Sequence, residues 1–252
     1  MKRRRFRVKR KRDIKVKLLI ALSLLCALSS AAAVLAERYA SDRFGGYVSR
    51  DTRYVELAKD MSHIINIHTA GIPLSIETWD GDTVKVSYVS ELPVIISEKD
   101  EDGYTRETTI SQDDGFAVSF FTLELFSYHM KVYLPQDVKY KQINIKSVSG
   151  DVVLNAYHLR VAEGVNVTTD SASIEVTRPA TPYSVRTNSG NVSLDFDYLV
   201  SIMVVNSTQG NITARVPDSM MYNVDLLYLH SRYGDVVVEE KDTSVEENFP
   251  WL

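Results

Sequence analysis

The chain predicts an all-β protein, a β-solenoid or β-helix-like stack of short strands, held to a membrane by one N-terminal transmembrane helix. Three observations carry this reading. Beyond Met61, apolar residues alternate with polar ones in stretches rich in Val, Ile, Thr, Ser and Tyr, the period of two that belongs to strands. One apolar spacing around a bend recurs five times. An uncharged apolar run separates a basic end from an acidic remainder.

The 252 residues are 44% hydrophobic and 25% charged, enough for a sizeable core and unlike a disordered chain. The single cysteine, Cys26, excludes an internal disulfide framework and any multi-cysteine zinc or iron–sulfur site. The formal net charge of −4 conceals an asymmetry. Residues 1–17 hold 11 of the 29 Lys and Arg and one of the 33 Asp and Glu. From Glu37 onward 18 basic residues face 32 acidic ones, a balance of −14.

Residues 18–36 (LLIALSLLCALSSAAAVLA) are uncharged. As a helix they span roughly 28 Å, close to the hydrocarbon thickness of a bilayer. The basic flank places residues 1–17 in the cytoplasm and the rest outside, as a single-pass protein of the cell membrane. The alternative is a cleavable signal peptide ending near Val34-Leu35-Ala36, which exports the same domain. The basic tail is too short for a DNA-binding fold and reads as a topology signal touching anionic lipid, at about 1 kcal/mol per cation. No nucleic-acid partner is expected.

Residues 37–60 read as a juxtamembrane stalk with a short helical turn near Tyr54–Lys59, and 61–240 as the β-repeat ectodomain. A first hairpin is expected from Leu74 and Ile76 through Asp80-Gly81-Asp82 to Val84 and Val86. A second runs from Val94-Ile95-Ile96 through Asp100–Gly103 to Thr108-Thr109-Ile110. Phe120–Phe126 is a strand or a loop covering the core, and Met130, Val132 and Leu134 alternate up to Pro135.

The repeat then begins. Ile143-x-Ile145-x-Ser147-x-Ser149-Gly150-x-Val152-x-Leu154 returns with its bend at Ala172, Gly190, Gly210 and Gly234. Each copy places two apolar residues inward, a hydroxyl at the corner, and two more apolar residues inward on the next strand. Glycine at the corner is expected to supply a positive φ, and Ser149, Ser171 and Ser189 to hydrogen-bond their own backbone. One copy cannot bury its apolar face alone, so neighbours stack. A β-sandwich of similar hairpins is the alternative.

The segments KSVSGDVVL, TDSASIEV, TNSGNVSL, STQGNITARVP and SRYGDVVVEE resemble the putative-adhesin, toastrack-type β-repeat family. The resemblance covers roughly residues 62–240 and departs at Ala172-Ser173, where the pattern has Gly-Asp. It implies an extracytoplasmic bacterial β-solenoid associated with adhesion or envelope stress, and brings no catalytic residues with it.

Candidate chemistry is sparse. His63, His68, His129, His158 and His230 form no metal-ligand spacing. Asp80/Asp82, Asp100/Glu101/Asp102 and Asp113/Asp114 read as solvated turns, none completing a calcium loop. The outward repeat positions vary (Lys146, Arg186, Asn166), with no ladder of paired carboxylates for glycan cleavage. Asn166, Asn191, Asn206 and Asn211 sit in N-glycosylation patterns that corner asparagines beside Ser and Thr generate by accident. The acidic tail 241–252 ends in Phe249-Pro250-Trp251-Leu252, a partner peptide or a cap on the last coil.

These readings predict a non-enzymatic, membrane-anchored extracytoplasmic module, without catalytic, cofactor or metal residues. It serves adhesion, scaffolding or envelope-stress sensing through a protein or envelope-polymer partner. At −14 the domain as a whole repels anionic wall polymers unless cations bridge them. The rival classes are an envelope polysaccharide hydrolase or lyase and an accessory subunit of a membrane signalling complex.

Overall fold

Alternation is met first in β1 (Ser49–Glu56), β2 (Ser62–Thr69), β3 (Leu74–Trp79) and β4 (Thr83–Ser90), followed by β5 (Val94–Asp100), β6 (Thr105–Gln112) and β7 (His129–Pro135). The repeats supply β8 (Tyr140–Ser147), β9 (Val152–Asn155), β10 (Val165–Thr169), β11 (Ile174–Thr177) and β12 (Tyr183–Thr187). They continue through β13 (Val192–Asp195), β14 (Met203–Ser207), β15 (Ile212–Pro217), β16 (Leu227–Ser231) and β17 (Val236–Lys241). A 3-10 segment, Asp218–Leu226, links β15 to β16. The structure is a computed structural model describing residues 49–90, 93–112, 128–155, 157–199 and 201–241. The apolar run 18–36, Phe120–Phe126, Asp113/Asp114 and the tail beyond Lys241 lie outside these residues. Among the described residues no helix is long and apolar enough to cross a membrane.

Two open sheets form. One has nine strands in the order β1-β4-β7-β3-β9-β11-β13-β15-β17, the other eight in the order β16-β14-β12-β10-β8-β2-β6-β5. From β8 onward each copy contributes one strand to each sheet, and neighbouring copies pair in parallel with no slip. Parallel pairing of strands joined by corners identifies stacked coils, not the hairpins of a sandwich.

The stacking aligns the apolar positions into four interior columns. Ile65, Ile143, Val165, Tyr183 and Met203 lie side by side in one sheet, and Ile67, Ile145, Val167, Val185 and Val205 beside them. The facing sheet supplies Leu74, Val152, Ile174, Val192 and Ile212, then Ile76, Leu154, Val176, Leu194 and Ala214. All twenty are at most 2% exposed. Each Val, Leu or Ile so buried stabilises the stack by about 1.5–3 kcal/mol before the entropy of ordering is subtracted.

The first two members of those columns belong to a coil the five-copy pattern omits. Ile65-x-Ile67-x-Thr69 and Leu74-x-Ile76 keep the repeat spacing, but Ile72 stands where later copies carry the corner glycine. Between this coil and the next lies an excursion of some fifty residues. It adds a further coil on the outer side: β6 runs parallel to β2, and β7 parallel to β3. β5 then pairs antiparallel with β6, β4 with β7, and β1 with β4.

Three expectations are corrected here. β3 and β4 do not form a hairpin, because β7 sits between them and hydrogen-bonds to both. Their alternation was right in facing Leu74, Ile76, Val84 and Val86 to one core, but a period of two specifies a face and not a neighbour. Tyr54–Glu56 belong to β1, not to a helical turn, because their backbone completes the edge of the nine-stranded sheet against Lys85, Val84 and Thr83. The inward positions of the last copy are only partly covered: Val236 and Val238 remain 41% and 36% exposed. The second hairpin, β5–β6, forms as expected.

The corner glycines serve a purpose other than the expected one. Positive φ among described glycines occurs at Gly103 and Gly164 alone, not at Gly150, Gly190, Gly210 or Gly234. Instead each stacks on the corner carbonyl of the preceding coil. A Cβ at Gly190 would lie 1.7 Å from the Ala172 oxygen, and one at Gly210 1.9 Å from the Gly190 oxygen. Glycine is needed for close approach, with ordinary backbone angles.

Corner hydroxyls complete the bend. Ser147 Oγ and Thr169 Oγ1 donate to the carbonyls of Gly150 and Ala172, at 2.6 and 3.2 Å. Thr187, Ser207 and Ser231 hydroxyls accept from the N–H of Gly190, Gly210 and Gly234. Ala172 therefore keeps the corner despite its departure from Gly-Asp. Ser171 and Ser189 bond to the preceding coil, at the carbonyls of Val148 and Asp170, not to their own. Their backbone N–H groups are aimed at those same carbonyls, so the parallel ladder continues through the bend.

Candidate functional site

Parallel stacking turns equivalent outward positions into rows running along the stack, spaced by about 4.8 Å per strand. On the eight-stranded sheet, β2 and the five repeat strands carry two such rows. The first is Asn66, Asn144, Asn166, Ser184, Val204 and Tyr228; the second is His68, Lys146, Thr168, Arg186, Asn206 and His230. None of these twelve side chains is acidic. The corresponding rows on the nine-stranded sheet are Ser75, Val153, Glu175, Ser193, Thr213 and Val237, and Glu77, Asn155, Thr177, Asp195, Arg215 and Glu239. These hold four carboxylates and one cation. Along these rows the carboxylates therefore stand on the nine-stranded sheet alone.

The rows are also locally ordered in different ways. On the eight-stranded sheet, Asn166 Nδ2 donates to Asn144 Oδ1 at 3.0 Å, and Asn144 Nδ2 to Asn66 Oδ1 at 2.8 Å. Asn66 Nδ2 in turn donates to Glu107 Oε1 at 2.5 Å. Beside this amide ladder His68, Lys146, Thr168, Arg186 and His230 are exposed. Among the described residues neither Lys146 nor Arg186 has a carboxylate within ion-pair distance.

The nine-stranded face is internally paired. Lys241 Nζ lies 3.2 Å from Asp195 and 3.1 Å from Asp197, Arg178 lies 2.9 Å from Asp197, and Arg215 lies 3.3 Å from Glu239. Burial works against the Lys241 ammonium, but the hydrogen bonds to Asp197 and Asp195 outweigh it and raise its pKa. Further along, Lys85 Nζ stands 5.0 Å from the Tyr133 ring centroid and 5.7 Å from that of Trp79, a cation–π cluster.

The residues weighed from the sequence fall apart in space. Among the described residues no three His, Cys, Asp or Glu converge as metal ligands do. His63 is buried with Nε2 2.9 Å from the Ala58 carbonyl oxygen, whereas His158 is exposed, at φ 63°, its ring tilted 48° to that of Tyr157 with centroids 3.7 Å apart. Asp102 accepts from the N–H of Tyr104 and Thr105, which lowers its pKa, and Asp100 pairs with Arg106 at 2.8 Å. Asp80 and Asp82 are exposed around Gly81, whose hydrogen leaves room for the Trp79 ring. Asn191 and Asn211 fix the bend, each accepting a backbone N–H from the next coil at 2.9 Å.

A groove of about 930 Å³ lies along the corners opposite the glycines. Asp137, Lys139, His158 and Arg160 line it, with Val138, Tyr140 and Val161 beneath. Tyr140 Oη donates to the Pro135 carbonyl at 2.9 Å, and burial pushes its pKa up, as it does for Tyr183.

The family model for the toastrack domain (Toastrack DUF4097) matches residues 63–195, and the chain belongs to that family. Its match begins in the first coil and includes the excursion. Two solved structures are similar in outline. A putative cell adhesion protein from Clostridium sporogenes ATCC 15579 is 13% identical, covering 77% of this chain and all of its own, at a TM-score of 0.42. A putative adhesin from Bacteroides fragilis NCTC 9343 is 12% identical, covering 78% of this chain and 99% of its own, at 0.33. No curated protein matches the chain.

The row-by-row sorting of charge was not found from the sequence. Lys146, Arg186 and Asn166 look unrelated when the copies are read one after another. The parallel register puts Lys146 and Arg186 into one row and Asn166 into its neighbour.

Proposed function

We propose that this chain is a non-enzymatic, membrane-anchored extracytoplasmic scaffold whose stacked sheets hold an envelope partner, in adhesion or in sensing envelope stress. The observation that supports this most is the outward register: the coils align polar side chains in rows across six strands. Such rows make an extended contact surface. A hydrolase or lyase needs the opposite arrangement, a few acids and bases converging on one bond. The basic tail and uncharged run of the sequence support anchoring with the domain outside. The test uses the full chain in lipid vesicles, mixed with purified envelope material. Retention of that material without release of new reducing ends is the expected result. Release of reducing ends or unsaturated sugars contradicts the proposal.

A further inference from the structure

Ion pairs hold Arg178, Arg215 and Lys241 on the nine-stranded face, but one row on the other sheet has none among the described residues. Lys146 and Arg186 stand exposed two strands apart, about 10 Å, in a pair of rows whose twelve outward positions include no carboxylate. In a domain with 32 acidic and 18 basic residues from Glu37 onward, such a pair of rows stands out. Four other cations of the repeats have partners: Arg178, Arg215 and Lys241 have carboxylates, and Arg232 has the ring of Tyr233 at 5.0 Å. His68 and His230 extend the same row to its two ends, a track of about 24 Å over five strand spacings.

We infer that the row from His68 through Lys146 and Arg186 to His230 is a binding track for a linear anionic polysaccharide, laid across the strands along the stack. This rests on the adhesion reading above and gives it a site and a partner chemistry. A carboxylate or phosphate on the polymer meets each cation, which is the charge complementarity the row lacks among the described residues. The hydroxyls of the sugars meet the adjoining Asn66–Asn144–Asn166 amides, whose mutual hydrogen bonds fix their orientation in advance. The track is one residue wide, which suits a chain better than a bilayer plane. Net repulsion between the acidic domain and a polyanion is weakened along the track because its two rows carry no carboxylate, whereas the corresponding rows of the other sheet carry four. At physiological salt, screening over about 8 Å removes much of their effect across the stack.

The experiment compares the full chain with Lys146→Glu/Arg186→Glu, and with Lys131→Glu/Arg215→Glu, which changes net charge equally on the nine-stranded face. The basic tail contributes equally to all three. The probes are polygalacturonate, inorganic polyphosphate and neutral dextran, with vesicles containing phosphatidylglycerol as the lipid arm. Circular dichroism and melting temperature confirm folding. The inference expects salt-sensitive binding to one of the two polyanions and none to dextran. It expects a loss of tenfold or more in the Lys146/Arg186 variant, and less than twofold in the control. Preference between the polyanions separates carboxylate from phosphate chemistry. Equal losses in both variants, or none in either, overturn the track. A loss confined to vesicle binding also overturns it, making the face a membrane contact. Retention of whole envelope material by the Lys146/Arg186 variant, with no polyanion bound by the unaltered chain, overturns the track while leaving adhesion standing.

Discussion

The carbonyl oxygen of Ala172 lies 1.7 Å from where a Cβ on residue 190 would be. Each corner is therefore a backbone-to-backbone contact between coils, and the residue at its centre has no room for a side chain. Gly190→Ala forces the corner apart and disrupts the ladder that passes through Ser189 and Asn188. The expected cost is about 3 kcal/mol or more, in the range of severe steric substitutions. Gly103, at φ +78° with nothing within 4 Å, has a conformational requirement alone. Gly103→Ala should cost about 1 kcal/mol. Urea unfolding of the two variants distinguishes close approach from backbone angle. Equal losses contradict the stacking explanation.

Tyr140 and Tyr183 share burial but differ in partners. Tyr140 donates to Pro135, whereas the Tyr183 hydroxyl has no partner among the described residues. Tyr140→Phe should lose about 1 kcal/mol, and Tyr183→Phe should be neutral or stabilising by a similar amount. Both phenols have raised pKa values, so above the ordinary value near 10 the folded state keeps protons that the unfolded chain releases. Stability therefore falls as pH rises beyond 10, by up to about 1.4 kcal/mol per pH unit for each tyrosine. Unfolding at pH 8 to 11 should show this slope reduced by about one proton in Tyr183→Phe.

Burial along a column predicts a gradient of tolerance. Ile145, at 2% exposure, has neighbouring strands on both sides, whereas Val236 lies on the edge strand β17 at 41%. Ile145→Ala should cost about 2–5 kcal/mol. Val236→Ala should cost less than about 1 kcal/mol, as a largely exposed substitution. Thermal melts of both variants check this, and a large loss at Val236 would require a cover over the last coil.

Much of this architecture is legible in the residues. The spacing Ile143-x-Ile145 and Val152-x-Leu154, repeated with its hydroxyl and small residue between, identifies strand, corner and inward face without reference to any neighbour. The first coil was equally visible in Ile65-x-Ile67-x-Thr69 and Leu74-x-Ile76, but Ile72 in place of glycine hid it. The position of β7 between β3 and β4 could not be read, because Met130 and Val132 alternate as well beside one strand as beside another. The cationic row was illegible for the same reason. A side chain's outward direction is local, but membership of a row depends on the register of strands up to 162 residues apart.

That register is the central claim, and His68 and His230 test it over its full length. With Cys26→Ala in the background, spin labels on His68→Cys and His230→Cys occupy one row five strand spacings apart. A pulsed dipolar measurement on the full chain should give a single narrow distribution near 24 Å, widened by the label arms. A broad distribution, or a distance above about 40 Å, would contradict coils stacked in parallel register.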